Sequence, residues 1–188
     1  MSDEHDGTIW IESARDRYAH GNACLIRWQG RERYASVGDV RATAEDLFSC
    51  AAYADVIGEL IRLGMEGPLV TRFLQGIMRD RRPRFFGRPS TFFMLPGGSS
   101  ARRVGAVAIG RRDLFHQGKA DGQLSADEAR AMGRQWLSAA EASEADTLFG
   151  AVLENAGWMV EAELDALFSL LNDIRGGTAE VPPAKDSR

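Results

Sequence analysis

Arginine side chains that suit binding to anions are concentrated in the middle of the chain. Residues 79–112 contain nine arginines and one acid, Asp80, which gives a net charge of +8. Guanidinium groups bind phosphates and aromatic rings stack on bases, so this segment with its phenylalanine pairs is typical of a nucleic-acid surface. The candidate binding residues are Arg79, Arg81, Arg82, Arg84, Arg88, Arg102 and Arg103.

The same arginines also suit an acidic protein surface. Residues 113–188 carry fourteen acids and six bases, a net charge of −8, so the chain contains a basic and an acidic region. Complementary charge of this kind steers association and fixes its register. A charge match within the fold or across a protein interface is therefore the alternative to nucleic-acid contact.

Two weaker candidate sites adjoin the basic segment. Residues 96–100 read Pro-Gly-Gly-Ser-Ser, a composition that favours either a phosphate-binding loop or a plain β-hairpin connection. Asp113 and His116 follow a predicted strand and have the side-chain types of an acid–base pair, with loop hydrogen bonding as the alternative. No nucleophile motif or zinc-ligand spacing accompanies them, so we assign no catalytic residue, metal or cofactor.

Residues 117–128 share several positions with a calcium-binding loop. Asp121 and Glu128 occupy two of its ligand positions, but Gln117 and Lys119 stand at the first and third. An amide and an ammonium in place of two carboxylates weaken calcium binding severely. We therefore expect a turn followed by a helix start, and no metal site.

The four tryptophans divide by their sequence context. Trp158 follows Asn155-Ala-Gly157 at a predicted helix end, which favours an exposed aromatic anchor for a protein partner. We expect Trp10, Trp28 and Trp136 to lie in the core.

Composition indicates one globular domain. The chain has 188 residues, of which 44% are hydrophobic and 27% charged, so we predict a single domain over residues 1–177, with 1–7 frayed and 178–188 a disordered tail. No run of about 18 apolar residues occurs and the N-terminus is acidic, so we expect a cytoplasmic protein with no membrane partner. The two cysteines have apolar neighbours and are expected to be buried thiols. Arginine outnumbers lysine 21 to 2, which suggests a bacterial or phage origin.

Hydrophobic periodicity predicts strands in pairs separated by helices. An N-terminal hairpin or meander is predicted from Thr8–Glu12, Ala23–Trp28 and Glu32–Ala35, and a second strand pair from Thr91–Leu95 and Val104–Ile109. The second pair is expected to be joined by the loop at 96–100. Together these predict an α+β fold with a small antiparallel or mixed sheet covered by about four to five helices.

Capping residues predict where the helices begin and end. Thr43 is predicted to cap a helix that ends at Gly64, and a second helix is predicted to begin at Pro68 with a broad apolar face. Ser125 and Glu128 form a capping box that starts a long C-terminal helical region. Its apolar spacing continues through Leu148, Phe149, Val152, Leu153, Leu164, Leu167, Phe168, Leu171 and Ile174.

These observations favour a small non-enzymatic protein that acts through protein–protein or self-association. The expected partner is another protein or a second copy of the chain in a homo-oligomer. The alternative is a nucleic-acid-binding regulator that uses the arginines of residues 79–112.

Overall fold

A computed structural model of the chain describes residues 9–16, 21–28, 31–65, 68–70, 72–73, 76, 92–99, 104–111 and 122–175. The fold is α+β, as the sequence predicts. The chain divides into two compact units: unit 1 comprises residues 1–37 and 138–188, and unit 2 comprises residues 38–137. The single domain over 1–177 stays a prediction, and the predicted frayed and disordered ends, 1–7 and 178–188, lie outside the described residues.

Unit 1 contains a three-stranded antiparallel meander. Its strands are β1 (Trp10–Asp16), β2 (Gly21–Trp28) and β3 (Arg31–Ala35), in the order β1-β2-β3. Cys24 in the middle of β2 lies opposite Ser13 on one side and Ala35 on the other. The predicted N-terminal meander is therefore confirmed, and its central strand carries the buried run Cys24, Leu25 and Ile26.

Two helices complete unit 1. Helix α2 (Ala126–Asn155) enters it at Ser138, and α3 (Glu161–Arg175) follows after a short turn. The two helices share a core of Leu153, Leu164 and Phe168. The turn closes with Gly157 at φ 66°, where the N–H groups of Gly157 and Trp158 donate to the carbonyls of Glu154 and Leu153. This is a Schellman cap, which explains why α2 stops here and α3 folds back into a shared core.

Unit 2 begins with helix α1, Val37–Arg62. The prediction that Thr43 caps this helix is wrong, because the helix starts six residues earlier and Thr43 is buried in its second turn. The Thr43 hydroxyl donates to the carbonyl of Asp39 at 2.7 Å, a bond to the preceding turn that lets a helix interior accept threonine. The predicted end is confirmed: Gly64 has φ 86°, and the Met65 N–H donates to the Leu60 carbonyl.

A second three-stranded antiparallel sheet lies in unit 2. Its strands are β4 (Phe92–Ser99), β5 (Val104–Arg111) and β6 (Gly122–Leu124), in the order β4-β5-β6. The described strands therefore form two separate sheets, where the sequence predicted one. β6 was not predicted, since three residues are too few to show a periodicity.

The first half of α2 packs in unit 2. The predicted capping box is confirmed: the Ser125 N–H donates to Glu128 Oε2 at 2.7 Å, and the Glu128 N–H donates to Ser125 Oγ at 3.2 Å. Ala129, Gly133 and Trp136 form its buried face, as their spacing predicts. Residues 68–70, 72, 73 and 76 are also helical, in agreement with the predicted second helix, so the described helices are close in number to those expected.

Candidate functional site

Most of the candidate residues named from the sequence lie outside the described part of the chain. This applies to Arg79, Arg81, Arg82, Arg84, Arg88, Arg102 and Arg103, and also to Asp113, His116, Gln117 and Lys119. Nucleic-acid contact through the arginines therefore stays a prediction. The loop predicted at 96–100 is wrong for residues 96–99, because these residues belong to β4. Pro96 to Ser99 lie opposite Val107 to Val104 of β5.

The described part of the chain contains no group of three or more metal-ligating side chains. Its two cysteines are free and buried. Burial, with a smaller contribution from the charge of Asp46, raises the pKa of the Cys50 thiol to about 12. Because the thiolate is the reactive form, Cys50 is an inert core residue at neutral pH.

Trp158 is the one candidate binding residue that the structure describes, and it is 74% exposed. It follows the left-handed Gly157, so the cap that ends α2 also sets the position of the Trp158 backbone. Trp136 is buried as predicted, whereas the prediction for Trp10 is wrong, since its ring is exposed at the start of β1. The side chain of Trp28 lies outside what the structure describes.

An exposed apolar surface lies on α2, just before the turn that contains Trp158. Leu148, Phe149 and Val152 are 66%, 46% and 59% exposed, and the exposed Ala145 lies one turn before them. Ala145 and Val152 each lie three and four residues from the neighbouring pair Leu148 and Phe149, so the four positions adjoin one another on the helix surface. We call Ala145, Leu148, Phe149 and Val152 the α2 apolar stripe.

The stripe is distinct from the face of α2 that forms the core of unit 1. The buried face consists of Ser143, Asp146, Gly150 and Leu153, and a Cβ on Gly150 would already touch the ring of Phe168. An amphipathic helix in a monomer needs one apolar face. The second apolar face on α2 therefore has no role in the described core.

Comparisons with protein-family models, with curated proteins and with solved structures give no match. Function must therefore be inferred from the surfaces of the chain itself. None of the described helices is long and apolar enough to cross a membrane.

The surroundings of the stripe are acidic. Residues 138–175 contain one base, Arg175, and eight acids: Glu141, Glu144, Asp146, Glu154, Glu161, Glu163, Asp165 and Asp173. Glu141 and Glu144 are exposed and lie one turn before Ala145 and Leu148, respectively. The exposed Glu161 starts α3, three residues after Trp158. Acidic residues thus precede the stripe and follow Trp158 along the chain.

The basic groups nearest to these acids are already bound. Arg175 binds Asp146 through two hydrogen bonds of 2.6 and 2.7 Å, and both the hydrogen bonds and the charge of Asp146 raise the pKa of Arg175. Arg15 on β1 donates to Glu154 at 2.8 Å and lies 3.4 Å from Asp165. Both guanidinium groups therefore stabilise unit 1 from within. The exposed surface of its helices stays acidic.

A buried polar network fixes α3 and α2 against β1. Asp146 is 3% exposed and accepts a hydrogen bond from the Ser13 hydroxyl at 2.8 Å as well as the two from Arg175. The Asn172 side chain donates to the backbone carbonyl of Ser13. The network holds β1, α2 and α3 in a fixed arrangement. The α2 apolar stripe is therefore a rigid surface.

The sequence pattern indicates Trp158 as a candidate binding residue but does not indicate the stripe. Leu148, Phe149 and Val152 were assigned with Leu153 to a single pattern of helical spacing. No local signal separates them, because the buried face of α2 includes the polar Ser143 and Asp146, which a helical pattern assigns to the exposed side. In unit 2, Leu69 and Phe73 of the predicted broad helix face are also exposed.

Proposed function

We propose that this chain is a non-enzymatic binding protein that acts through protein–protein or self-association, and that the α2 apolar stripe with Trp158 is its docking surface. The observation that carries the proposal is the exposure of four large apolar side chains in the last two turns of α2 and the turn after it: Leu148, Phe149, Val152 and Trp158. Contiguous apolar surface of this kind costs solubility in a monomer and marks interaction sites.

The side-chain types support a docking role over a chance exposure. Tryptophan and phenylalanine contribute large contact areas and are enriched among the residues that dominate interface energies. The Schellman cap and the buried Asp146 network hold this surface without using its side chains. Its stripe residues are therefore available to a partner without any rearrangement of the core.

The test compares two variants of exposed residues of α2. One changes the stripe, and the other changes a position outside it. Leu148→Ser with Val152→Ser alters the stripe, and Ala151→Ser alters an exposed position outside it. Both variants are expected to keep the wild-type circular dichroism, because all three positions are exposed. Association is measured by sedimentation over a range of concentrations and by affinity capture from the native host with nuclease present.

We expect association by the wild-type protein and by Ala151→Ser, and its loss in the double variant. Nuclease should leave the capture unchanged, since the stripe contains no groups that bind phosphate. A wild-type protein that sediments as a strict monomer and captures the same proteins as the double variant would contradict the proposal. Capture that disappears with nuclease would instead favour the arginines of residues 79–112 and the nucleic-acid alternative.

A further inference from the structure

The charges around the α2 apolar stripe identify the kind of partner it fits. This step rests on the proposed function, because it takes the stripe to be a docking surface. Residues 138–175 contain eight acids and one base, Arg175, which is bound to the buried Asp146; Arg15 of β1 pairs with Glu154, Asp165 and Glu161, and the other acids keep the surface negative. A partner therefore meets apolar side chains first and carboxylates around them.

A second copy docked stripe to stripe does not suit this surface. A two-fold contact would place Glu141, Glu144 and Glu161 of one copy near the same residues of the other. Like charges brought together in an interface oppose association. Anionic lipid headgroups and nucleic-acid phosphates are disfavoured at this surface for the same reason.

A helix with the opposite charge pattern does suit it. The four stripe positions lie within about two turns of α2. An amphipathic partner helix presents its apolar residues, spaced three and four positions apart, over a similar length. Lysine or arginine side chains flanking that apolar face reach the carboxylates at both ends of the stripe. Their aliphatic stems also extend the apolar contact.

We propose that the α2 apolar stripe, with Trp158 and the surrounding carboxylates, binds a cationic amphipathic helix of another protein. The apolar side chains supply the contact area, and the carboxylates select for basic flanking residues and set the orientation. Charge selection of this kind gives specificity and a fast association rate.

The test uses the full chain and three synthetic peptides of about 18 residues, long enough to form a helix on binding. The first carries leucines at helical spacing on one face and lysines elsewhere. The second keeps the leucines and replaces every lysine by glutamate. The third has the composition of the first in a scrambled order without an apolar face. Binding is followed by fluorescence anisotropy of the labelled peptides.

We expect the lysine peptide to bind at least about 10-fold more tightly than either control, a difference well above measurement error. Leu148→Ser with Val152→Ser should weaken it by a similar factor, whereas Ala151→Ser should leave it unchanged. Glu141→Gln with Glu161→Gln should weaken binding less and reduce its dependence on salt. Both positions are exposed, and Arg15 keeps its contacts with Glu154 and Asp165 when its 3.8 Å pair with Glu161 is lost, so the variant should fold normally.

Three results would overturn the inference. Equal binding of the glutamate peptide would remove the role of charge, and equal binding of the scrambled peptide would show attraction without docking. A homodimer that dissociates in the Leu148→Ser, Val152→Ser variant would make a second copy the occupant. In the first and third cases the proposed function survives, since sedimentation and capture test it independently of these peptides.

Discussion

The two units of this protein are held together by different means. Unit 1 buries a charged group: Asp146 accepts hydrogen bonds from Ser13 and Arg175, Asn172 donates to the Ser13 carbonyl, and this network ties β1 to both helices. The described interior of unit 2 contains no buried charged side chain and is closely packed, with β5 so near α1 that Gly105 lies against the backbone of Ala54. Unit 1 is therefore sensitive to the loss of a charge, and unit 2 to the addition of volume.

The closest packing in unit 2 gives the largest expected effect. A Cβ on Gly105 would overlap the carbonyl oxygen of Ala54, and backbone atoms cannot move aside as a flexible side chain does. We expect Gly105→Ala to lower the free energy of unfolding by about 4 kcal/mol or more, in the range that only severe steric conflicts reach. Urea denaturation followed by circular dichroism measures this change.

Gly76→Ala is the matched control for this substitution. Gly76 lies in a helical segment with open space around its Cα, so an added methyl group meets nothing within 4 Å. Alanine is also the better helix former, and the control should be neutral or stabilising by up to about 1 kcal/mol. A Gly105→Ala protein as stable as the control would show that β5 and α1 are not in close contact.

The charge network of unit 1 gives the next largest effect, and the two partners should respond unequally. Arg175→Met leaves the Asp146 carboxylate buried without its counter-ion, which we expect to cost about 3 kcal/mol of folding free energy. Asp146→Leu leaves Arg175 unpaired, but that side chain is 40% exposed and reaches water. The second substitution should therefore cost clearly less.

A double variant separates the free energy of the Asp146–Arg175 interaction from the cost of burying an unpaired carboxylate. Removing both partners leaves no buried charge, so Asp146→Leu with Arg175→Met should be more stable than Arg175→Met alone. Chemical denaturation of the four proteins gives the coupling free energy. Equal costs for the two single variants, or additive costs in the double variant, would argue against the Asp146–Arg175 contact as a buried ion pair.

The features that could be predicted from the sequence are those formed by local contacts. The capping box of Ser125 and Glu128, and the left-handed end at Gly64, are contacts between residues at most a few positions apart, so the sequence contains the whole signal. Thr43 has the side chain of a helix cap, but its hydroxyl can equally bond to the preceding turn. Local sequence does not decide between these two uses.

Long-range contacts account for the rest. Ser13 and Asp146 are separated by 133 positions, and no pattern in the chain joins them. Without that contact, the stretch from Leu148 to Leu153 appears as one apolar face, although Leu153 is the only one of its large apolar side chains that is buried. The exposure of Trp158 was predictable because it depends on the adjacent Gly157, whereas the α2 apolar stripe became recognisable only when the buried face of α2 was known.

Cys50 tests whether the interior of unit 2 is as apolar as it is in the structure. Burial raises the pKa of its thiol from 9.0 to about 12, so between these pH values the unfolded chain loses a proton that the folded protein keeps. Stability from this group is complete below pH 9 and falls as the pH rises toward 12, by about 1.4 kcal/mol per pH unit.

The comparison protein for this measurement is Cys50→Ala, because the other titrating groups are common to both proteins and cancel in the difference. The free energy of unfolding of the wild type, relative to that of the variant, should fall by about 2 to 3 kcal/mol between pH 8 and pH 11. Parallel curves over this range would mean that water reaches the thiol. The close packing of α1 in unit 2 would then be wrong, and the contrast with the charged interior of unit 1 would disappear.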